Sequence, residues 1–393
     1  MKLIYIANFR MPTEKAHGYQ VAKMCESFAT QSHRSYADYE RGNNADKIEI
    51  ELIIPTRRNE IKADLFEYYG IERNFKVMQI LTPDFIAMTP LFLRKIGFIL
   101  QSIFFLIKLL TVKSSADSVI YSRNPEIVFL FSRRGYKTVF ESHRWPQSKI
   151  WLHKYFIKKA VKVIAVTNTL AELYKKCRLP AGRQGFKESD ILVARDGVDL
   201  KIFDINISKE DARAKLGLPQ NAVLLGYTGA THTMGMGKGL EDMTEAVAEI
   251  LKSRQNVFLV SVGGNKTYTE GNNLFIERVP RAKLALYQKA FDVLLMPFPK
   301  TTHYSYYMSP MKMFEYMASK RPIVASNLPS VREVLNENNA ILVEAGNPKA
   351  LAAGIEKILN DSALGRQLAA RAYEDVQSYT WEKRATKIIG FIF

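Results

Sequence analysis

The sequence predicts an α/β protein built from two Rossmann-like domains, and three observations carry that prediction. Short apolar segments alternate with segments of helical spacing along the 393 residues, as in parallel sheets that helices cover on both faces. The alternation starts afresh after Asp199, which indicates a second doubly wound sheet. The length also favours two domains over one.

The strand predictions follow the apolar runs in chain order. Predicted strands lie at residues 3–7, 48–55, 118–122, 138–142 and 161–167 in the first half, and at 222–229, 257–264, 274–279, 292–298, 322–326 and 340–345 in the second. Helices are expected between them, for example at 20–29 and 240–253. Two further segments resemble insertions: 31–46 is polar and poor in periodicity, and 180–189 is rich in glycine and charge, so we predict an exposed loop at 180–189.

The chain is strongly basic. Its formal net charge is +17, of which roughly +12 falls in residues 1–200. Such a field attracts anionic partners, namely nucleic acid, anionic lipid or phosphorylated substrates. The cysteines are Cys25 and Cys177, too few for a disulfide framework or a zinc site, and they fit a reducing cytosol. The apolar start is soon followed by Arg10 and Pro12, so we predict no secretory signal.

Residues 91–110 form an apolar segment about as long as a membrane-spanning helix. Its apolar part runs only from Ile96 to Ile107, short of the roughly 20 residues that a spanning helix needs. Lys95 and Lys108 flank it. We predict a buried helix of an α/β domain, and the alternative is an interfacial helix that lies on anionic lipid.

Ligands of doubly wound sheets bind at the carboxyl ends of the strands, and the loop 302–335 is the richest in candidate residues. Ser309 is a suitable N-cap, and Pro310 suits the first turn of a helix predicted to reach residue 319. The N-terminus of that helix favours a phosphate. Glu315 would accept hydrogen bonds from the two hydroxyls of a ribose, and the alternative is a surface Glu paired with a neighbouring Lys.

Three more loops carry candidate residues. The glycine-rich loop 226–239 lets backbone approach a diphosphate, which Lys238 would neutralise. It matches neither a P-loop nor a dinucleotide fingerprint, and a plain flexible loop is the alternative. Gly18, in the loop after the first strand, would permit close approach of a phosphate or sugar, unless it is a simple turn glycine. Further along, His143 would bind a sugar hydroxyl and Arg144 an anion, unless the histidine is structural.

Five ordered motifs lie along the chain: PTEKAHGYQVAKMCESFA at 12–29, ARDGVDL at 194–200, GYTG…KG at 226–239, FDVLLMPFP at 291–299 and SPMKMFEYMASKRPIVASNLPSVREVL at 309–335. Together they resemble the retaining family-four glycosyltransferases of the GT-B fold, the glycosyl transferases group 1. The resemblance implies two Rossmann-like domains facing across a cleft. Residues 1–200 would bind the acceptor and 201–378 the nucleotide sugar, and 379–393 would form a helix crossing back to the first domain.

The resemblance also implies roles for residues of the second domain. Glu315 matches the glutamate that binds the donor ribose, and Lys238 matches the lysine that contacts the donor diphosphate. The amides around Met308 and Ser309 would face the phosphates. Gly229 lies in the matching loop after the first strand of this domain and is expected to border the donor.

The resemblance also extends to two residues of the first domain, and the sequence departs from the family pattern at two positions of the second. Gly18 matches the loop that closes on the donor, and His143 resembles a histidine placed near the reacting sugar. The first glutamate of the family's Glu-x7-Glu motif falls at Tyr307, whose phenol can still hydrogen-bond a sugar. Ala230 stands where an arginine is usual. Candidates for the missing charge are His232, Arg278 and Lys300.

The predicted function is transfer of a sugar from a nucleotide-diphosphate donor to a glycan or lipid-linked acceptor, with retention of configuration, in cell-surface polysaccharide or glycoconjugate synthesis. The predicted catalytic residues are His143, Lys238 and Tyr307. The sequence contains no Asp-x-Asp, so we expect no essential metal and no cofactor besides the donor. We expect a cytoplasmic enzyme in peripheral contact with the anionic inner face of the membrane. The alternatives are a basic nucleic-acid-binding protein and a catalytically degenerate sugar-nucleotide-binding protein.

Overall fold

The computed structural model describes residues 1–39, 48–180, 184–233 and 236–393. The chain divides into two compact units. The first, called here the N-domain, comprises Met1–Ala194 and Trp381–Phe393, and the second, the C-domain, comprises Arg195–Thr380. These boundaries differ by a few residues from the predicted ones at 200 and 379.

Seven strands form the N-domain sheet: β1 (Lys2–Ile6), β2 (Glu49–Pro55), β3 (Lys76–Ile80), β4 (Val119–Ser122), β5 (Lys137–Ser142), β6 (Lys162–Ala165) and β7 (Ile191–Val193). All are parallel, in the order β3-β2-β1-β4-β5-β6-β7. The sequence did not predict β3 and β7. The strand β3 exposes much of its surface and β7 has three residues, so neither shows a long apolar run.

The N-domain helices before the last segment of the chain are α1 (Ala16–Tyr39), α2 (Leu65–Tyr69), α3 (Phe85–Met88), α4 (Arg94–Leu109), α5 (Pro125–Arg133), α6 (Ile150–Ile157) and α7 (Asn168–Lys176). The helix α1 continues into the insertion predicted at 31–46, because its backbone stays helical to Tyr39. No glycine or proline interrupts 31–39, so nothing local ends the helix there. Residues 40–46 lie outside the described part of the chain.

The predicted exposed loop at 180–189 is wrong in part. Residues 181–183 lie outside the described part, but Phe186 is buried and its amide donates to the Tyr174 carbonyl over 3.1 Å. Its ring also lies 6.3 Å from that of Tyr174. An aromatic side chain therefore anchors a segment whose glycine and charge predicted full exposure.

The prediction of a buried helix at 91–110 is also wrong. Only a narrow stripe of α4, with four-residue spacing, is buried: Gly97, Gln101, Phe105 and Leu109. The outward face of the same helix consists of exposed apolar residues, namely Ile96, Ile99, Leu100, Ile103 and Ile107. Apolar periodicity does not reveal what covers each face of a helix. No helix among the described residues is both long and apolar enough to cross a bilayer.

The C-domain sheet has seven strands: β8 (Val223–Thr228), β11 (Val257–Gly264), β12 (Tyr268–Glu270), β13 (Asn273–Glu277), β14 (Val293–Met296), β15 (Ile323–Ser326) and β16 (Ile341–Val343). Their order is β12-β13-β11-β8-β14-β15-β16, and only β12 is antiparallel to its neighbour. A two-stranded antiparallel ribbon follows β8 in the chain and consists of β9 (His232–Thr233) and β10 (Met236–Gly237).

The C-domain helices are α8 (Leu200–Phe203), α9 (Lys209–Leu216), α10 (Leu240–Ile250), α11 (Arg281–Ala290), α12 (Thr302–Tyr306), α13 (Met311–Ala318), α14 (Pro329–Arg332), α15 (Pro348–Asn360) and α16 (Ser362–Val376). They bury both faces of the sheet. Along β14, Leu294 and Met296 belong to one core cluster, whereas Val293 and Leu295 belong to the other. Successive strand side chains point to opposite faces, so a continuous apolar run fills two cores.

The last helix, α17 (Trp381–Ile392), packs within the N-domain against α1. Trp381 is buried, and its ring lies 6.5 Å from that of Tyr19. Arg384 is also buried and donates to Oε1 of Glu141, at the end of β5, over 2.6 Å. A buried ion pair therefore fixes α17 beside the carboxyl end of the N-domain sheet.

Candidate functional site

The C-domain presents its candidate residues at the carboxyl ends of β8 and β14. The strand order reverses between these two strands, and such a switch point leaves a crevice in which doubly wound sheets bind ligands. Two segments follow the strands there: the loop of residues 229–239 after β8, and residues 297–310, which lead into α13. Both segments had been selected from the sequence.

Glycines shape the first loop. Gly229 has a φ of 113° and donates its N–H to the Val262 carbonyl over 2.7 Å, a conformation that L side chains rarely adopt. Gly239 has a φ of 78°, and a Cβ there would overlap the Pro297 carbonyl that follows β14. The loop is therefore held against the neighbouring strand end.

Lys238 lies at the end of that loop, directly before α10. Its N–H donates to the Thr231 carbonyl over 2.9 Å. Burial lowers the pKa of its side chain to about 8. An ammonium that is partly removed from water attracts an anion more strongly than an exposed one does, so Lys238 is suited to bind a phosphate.

The segment before α13 corrects one prediction. The helix begins at Met311, and no side chain caps it. Ser309 is not the N-cap, because its Oγ accepts a hydrogen bond from the Asp196 amide over 2.9 Å. Pro310 keeps extended backbone, with a ψ of 124°, so the helix starts one residue later than predicted. Ser309 instead ties the ARDGVDL segment to the base of this helix.

Glu315 lies on the second turn of α13 and is 4% exposed. Its Oε1 forms a short ion pair with Arg281 at the start of α11. The Arg281 guanidinium in turn lies 5.3 Å above the ring of Phe203. The alternative of a surface Glu paired with a Lys is wrong. A buried carboxylate held by an arginine from another helix is fixed in position, as a ribose-binding group needs to be.

Lys312 is a residue of this site that the sequence analysis missed. It lies one turn before Glu315 on α13, is 8% exposed, and its Nζ lies 3.5 Å from the ring centroid of Tyr227 on β8. Its three-residue spacing from Glu315 was the available signal, since residues three apart share a helix face. A lysine on a short helix is usually exposed, and this made the signal easy to overlook.

The residues before Ser309 are divided between the core and the surface. Tyr307 is half-buried, ends α12, and donates its N–H to the His303 carbonyl over 2.9 Å. The Met308 side chain is buried in the C-domain core, so only backbone atoms of Met308 remain for a ligand.

The candidates for the missing arginine differ in their surroundings. Ala230 accepts a hydrogen bond from the Tyr227 hydroxyl through its carbonyl over 2.9 Å. Arg278 and Lys300 are exposed, and the His232 side chain lies outside the described part of the chain. Arg278 and Lys300 therefore differ from Lys312, which is a buried basic side chain.

In the N-domain, His143 follows β5 and contacts a buried ionic cluster. Its Nε2 lies 2.8 Å from Oε1 of Glu141, which also accepts from Arg384 and lies 3.4 Å from Arg123. Burial and the charge of Arg123 lower the pKa of His143 to about 4. The ring is therefore neutral near pH 7. A carboxylate only accepts hydrogen bonds, so Nε2 carries the proton and Nδ1 is left as an acceptor.

Gly18 is not in a loop. It lies in the first turn of α1 and is buried. A Cβ at this position would overlap the Tyr69 hydroxyl and the methyl group of Thr13. The same Tyr69 hydroxyl accepts from the Thr13 amide over 2.7 Å. Close packing against Tyr69 therefore accounts for the glycine.

The ionisable side chains give no indication of a metal centre in the ranges that the structure describes. No group of three or more His, Cys, Asp or Glu side chains suited to a metal ion occurs there. Both cysteines are buried and free.

Sequence comparison gives a family match in the C-domain. Residues 222–361 match the family model of the glycosyl transferases group 1. An uncharacterized glycosyltransferase of Methanocaldococcus jannaschii is 26% identical over 219 residues, covering 52% of this chain and 54% of that protein. A D-inositol 3-phosphate glycosyltransferase of Corynebacterium urealyticum is 23% identical over 269 residues, covering 63% of this chain and 60% of that protein. The chain thus spans little more than half the length of these curated relatives.

Structure comparison extends the likeness over both domains. The Anabaena protein HepE, solved in complex with UDP-glucose, superposes with a TM-score of 0.62 and 15% identity, covering 99% of this chain and 98% of that one. At this identity the likeness concerns the fold alone. The fold, the motif-bearing loops at the C-domain switch point and the family match all point to the same family. Residues 222–361, within the C-domain, are thus similar to the glycosyl transferases group 1, and the chain has the GT-B fold of two Rossmann-like domains.

Proposed function

We propose that this protein transfers a sugar from a nucleotide-diphosphate donor to a glycan or lipid-linked acceptor. The observation that carries the proposal is the juxtaposition in the C-domain of a buried carboxylate, Glu315, with the partly buried Lys238 at one strand switch point. A carboxylate suits a ribose diol and an ammonium suits a diphosphate. The relatives are glycosyltransferases, which supports this function over the nucleic-acid-binding alternative.

The chemistry that these groups supply is electrostatic. Departure of a nucleoside diphosphate leaves negative charge on the phosphates, which Lys238 and the N-terminal amides of α13 stabilise without proton transfer. These cationic groups would do the work that a divalent metal does elsewhere, so we propose a metal-independent reaction. We propose retention of anomeric configuration from the resemblance to the family. Tyr307 would hydrogen-bond the transferred sugar near these phosphates.

His143 is the proposed catalytic residue of the N-domain. Its neutral ring is fixed by Glu141 through Nε2. The unprotonated Nδ1 is a hydrogen-bond acceptor and would accept from a sugar hydroxyl. A neutral imidazole near pH 7 orients a hydroxyl without adding charge. Gly18 remains a proposed donor-binding position only through the backbone of the first turn of α1.

We also propose that the enzyme works in the cytoplasm, in peripheral contact with an anionic membrane, and that it builds a cell-surface polysaccharide or glycoconjugate. The support is the outward face of α4, which is apolar where a surface helix normally carries polar groups. On α4 and the turn before it, the exposed apolar residues are Leu91, Phe92, Ile96, Phe98, Ile99, Leu100, Ile103 and Ile107. A helix of this kind lies in the interface plane with its apolar face in the lipid.

Charge on the same domain complements such a surface. Residues 94–162 contain 14 Lys and Arg against three Asp and Glu. Arg94 and Lys95 begin α4 and Lys108 is near its end, and all three are exposed. Basic groups beside an apolar face add about 1 kcal/mol each near an anionic leaflet. A lipid-linked acceptor would then be met at the membrane surface.

A thermal-shift screen tests the proposed function directly. The protein is melted with UDP-, GDP-, ADP- and dTDP-sugars, because a ligand that binds only the native state raises its stability. We expect one base to raise the Tm, and the matching donor to be consumed when acceptor lipids or glycans are added. If no nucleotide sugar of the four bases shifts the Tm, the proposed function is wrong. Binding without turnover would indicate the catalytically degenerate alternative.

A further inference from the structure

Lys312 is a basic side chain buried in the C-domain. Its Nζ is inaccessible to solvent and makes no hydrogen bond to any residue that the structure describes. Its described contacts are with aromatic rings: Nζ lies 3.5 Å from the ring centroid of Tyr227 and 5.7 Å from that of Phe298. A buried ammonium with no hydrogen-bond acceptor is costly. Such a group therefore points to a ligand or to a specific structural role.

The ionisable neighbours of Lys312 do not satisfy it. Glu315, on its own helix, gives its Oε1 to Arg281. Lys238, from the loop after β8, carries the same charge and disfavours the protonated form of Lys312. The phenols of Tyr227 and Tyr316 have pKa values raised by burial, so they are neutral. The charge of Glu315 favours the protonated form of Lys312, but no residue that the structure describes gives Nζ a hydrogen-bond acceptor, so we look to a ligand for one.

Gly229 leaves space beside Lys312 that a side chain would fill. A Cβ at this glycine would lie 3.3 Å from Nζ and Cε of Lys312, so a side chain at position 229 would cover the ammonium. The positive φ of Gly229 turns the loop backbone at the same point. The loop that ends in Lys238 therefore starts beside Lys312, and Lys238 lies close enough for its charge to act on Lys312.

We propose that Lys312 binds the diphosphate of the nucleotide-sugar donor together with Lys238, and so supplies the cation that the chain lacks at Ala230. This inference rests on the proposed function. The arriving phosphates supply the missing counter-charge, and the ammonium pairs with them from inside the protein. Burial, with a further contribution from Lys238, lowers the pKa of free Lys312 well below its ordinary value. Binding of a diphosphate raises it again, so binding takes up protons.

The test compares Lys312→Met and Lys312→Arg with the wild type by calorimetry. UDP, GDP, ADP and dTDP are titrated first, and the tightest is then compared with its own nucleoside. Lys252→Met, which removes an exposed C-domain lysine, is the matched control. We expect Lys312→Met to weaken diphosphate binding at least tenfold, to leave nucleoside binding within about twofold, and to leave Tm unchanged or higher. These changes correspond to loss of one charge-assisted contact. Lys312→Arg should recover part of the loss.

Proton uptake gives a second readout. Heats measured between about pH 7 and pH 9 in buffers of different ionisation enthalpy report the protons taken up. Lys312→Met should take up fewer than the wild type, and Lys252→Met the same number. In the opposite outcome, Lys312→Met keeps the wild-type ratio of diphosphate affinity to nucleoside affinity and has a lowered Tm. That result would show that Lys312 is purely structural and would overturn the inference. If the wild type binds none of the four diphosphates, the proposed function itself fails, which is a distinct result.

Discussion

Glu315 and Lys238 come from separate loops, and each is placed by contacts that have a physical reason. Arg281 fixes the carboxylate, and the glycine at 239 lets the lysine-bearing loop lie against Pro297. Both residues were candidates from the sequence, and the resemblance to the family gave them their predicted roles. The ion pair with Arg281 was not predicted, because it joins residues that lie far apart in the chain and meet only in the packed domain.

Glu315→Gln tests the ribose contact. Gln keeps the size of the side chain but removes the charge, so we expect nucleoside diphosphate binding to weaken by about tenfold to a hundredfold, corresponding to 1.5–3 kcal/mol for a hydrogen bond to a charged group. Calorimetry with the tightest-binding ribonucleotide measures this loss. The loss should be smaller for the 2′-deoxy nucleotide, which lacks one of the two hydroxyls.

Arg281→Met is the matched control for that variant. It leaves the carboxylate but removes its partner, so we expect a lowered Tm with donor affinity reduced less than in Glu315→Gln. If Glu315→Gln binds the ribonucleotide as tightly as the wild type, the assignment of Glu315 is refuted.

Lys238 predicts a pH dependence with a definite sign. Its pKa is about 8 in the free protein, and a bound diphosphate favours the charged form and raises that pKa. Below about pH 8 this lysine is already protonated, so its titration does not change the affinity for the diphosphate. Above about pH 8 the affinity for the diphosphate falls by up to about tenfold for each pH unit. Titrations from about pH 7 to pH 10 check this. Lys238→Met should bind more weakly throughout and show a shallower slope, and an identical slope would contradict the prediction.

At the scale of elements, α4 shows where apolar pattern reaches its limit. The sequence predicted a helix there and the structure contains one, but the pattern placed it in the core. Its buried stripe is only the face through Gly97, Gln101 and Phe105, and Phe105 packs in the core with residues of the N-domain sheet. A helix that is apolar all round is normally covered on all sides. The membrane is our proposal for what covers this one.

Ile103→Glu tests that proposal by vesicle co-sedimentation. Full insertion of one Ile side chain contributes roughly 1.5–3 kcal/mol, so the substitution should weaken binding to phosphatidylcholine–phosphatidylglycerol vesicles at least tenfold. Pure phosphatidylcholine vesicles should bind the wild type less, and added salt should weaken binding. Tyr268→Glu, on the exposed β12 strand of the C-domain, should behave as the wild type.

A second copy of the chain is the competing occupant of the α4 face. In that case the wild type would be a dimer by gel filtration, Ile103→Glu would be a monomer, and neither would sediment with vesicles. That combination would refute the membrane proposal.

Two other elements show why local sequence is insufficient. Ser309 has the residue type and position of an N-cap, but the Asp196 amide engages its hydroxyl and the helix begins at Met311. Gly18 looks like a loop glycine, whereas it lies in α1 and makes room for Tyr69. In both cases a residue distant in the chain decides the role, and a pattern of neighbours contains no information about it.

At the scale of the whole molecule, two doubly wound sheets were predictable because apolar runs repeat at the spacing of β-α units. The strand order and the reversal at β8 and β14 were not read from the sequence, since they depend on which strands pair. Lys312 was missed for a related reason: its burial depends on Tyr227 and Phe298, which other strands and loops supply. The motifs pointed to the loops after β8 and β14, and the packed structure shows Lys312 buried beside Tyr227.

The central claim is that the C-domain crevice binds the donor, with its diphosphate at Lys238 and its ribose at Glu315. The most direct measurement is a crystal structure with the nucleotide sugar that raises the Tm most. The account predicts phosphate oxygens about 3 Å from the Lys238 ammonium, and ribose hydroxyls at the same distance from the Glu315 carboxylate. A nucleotide bound elsewhere on the chain, or bound here with its ribose away from Glu315, would contradict it.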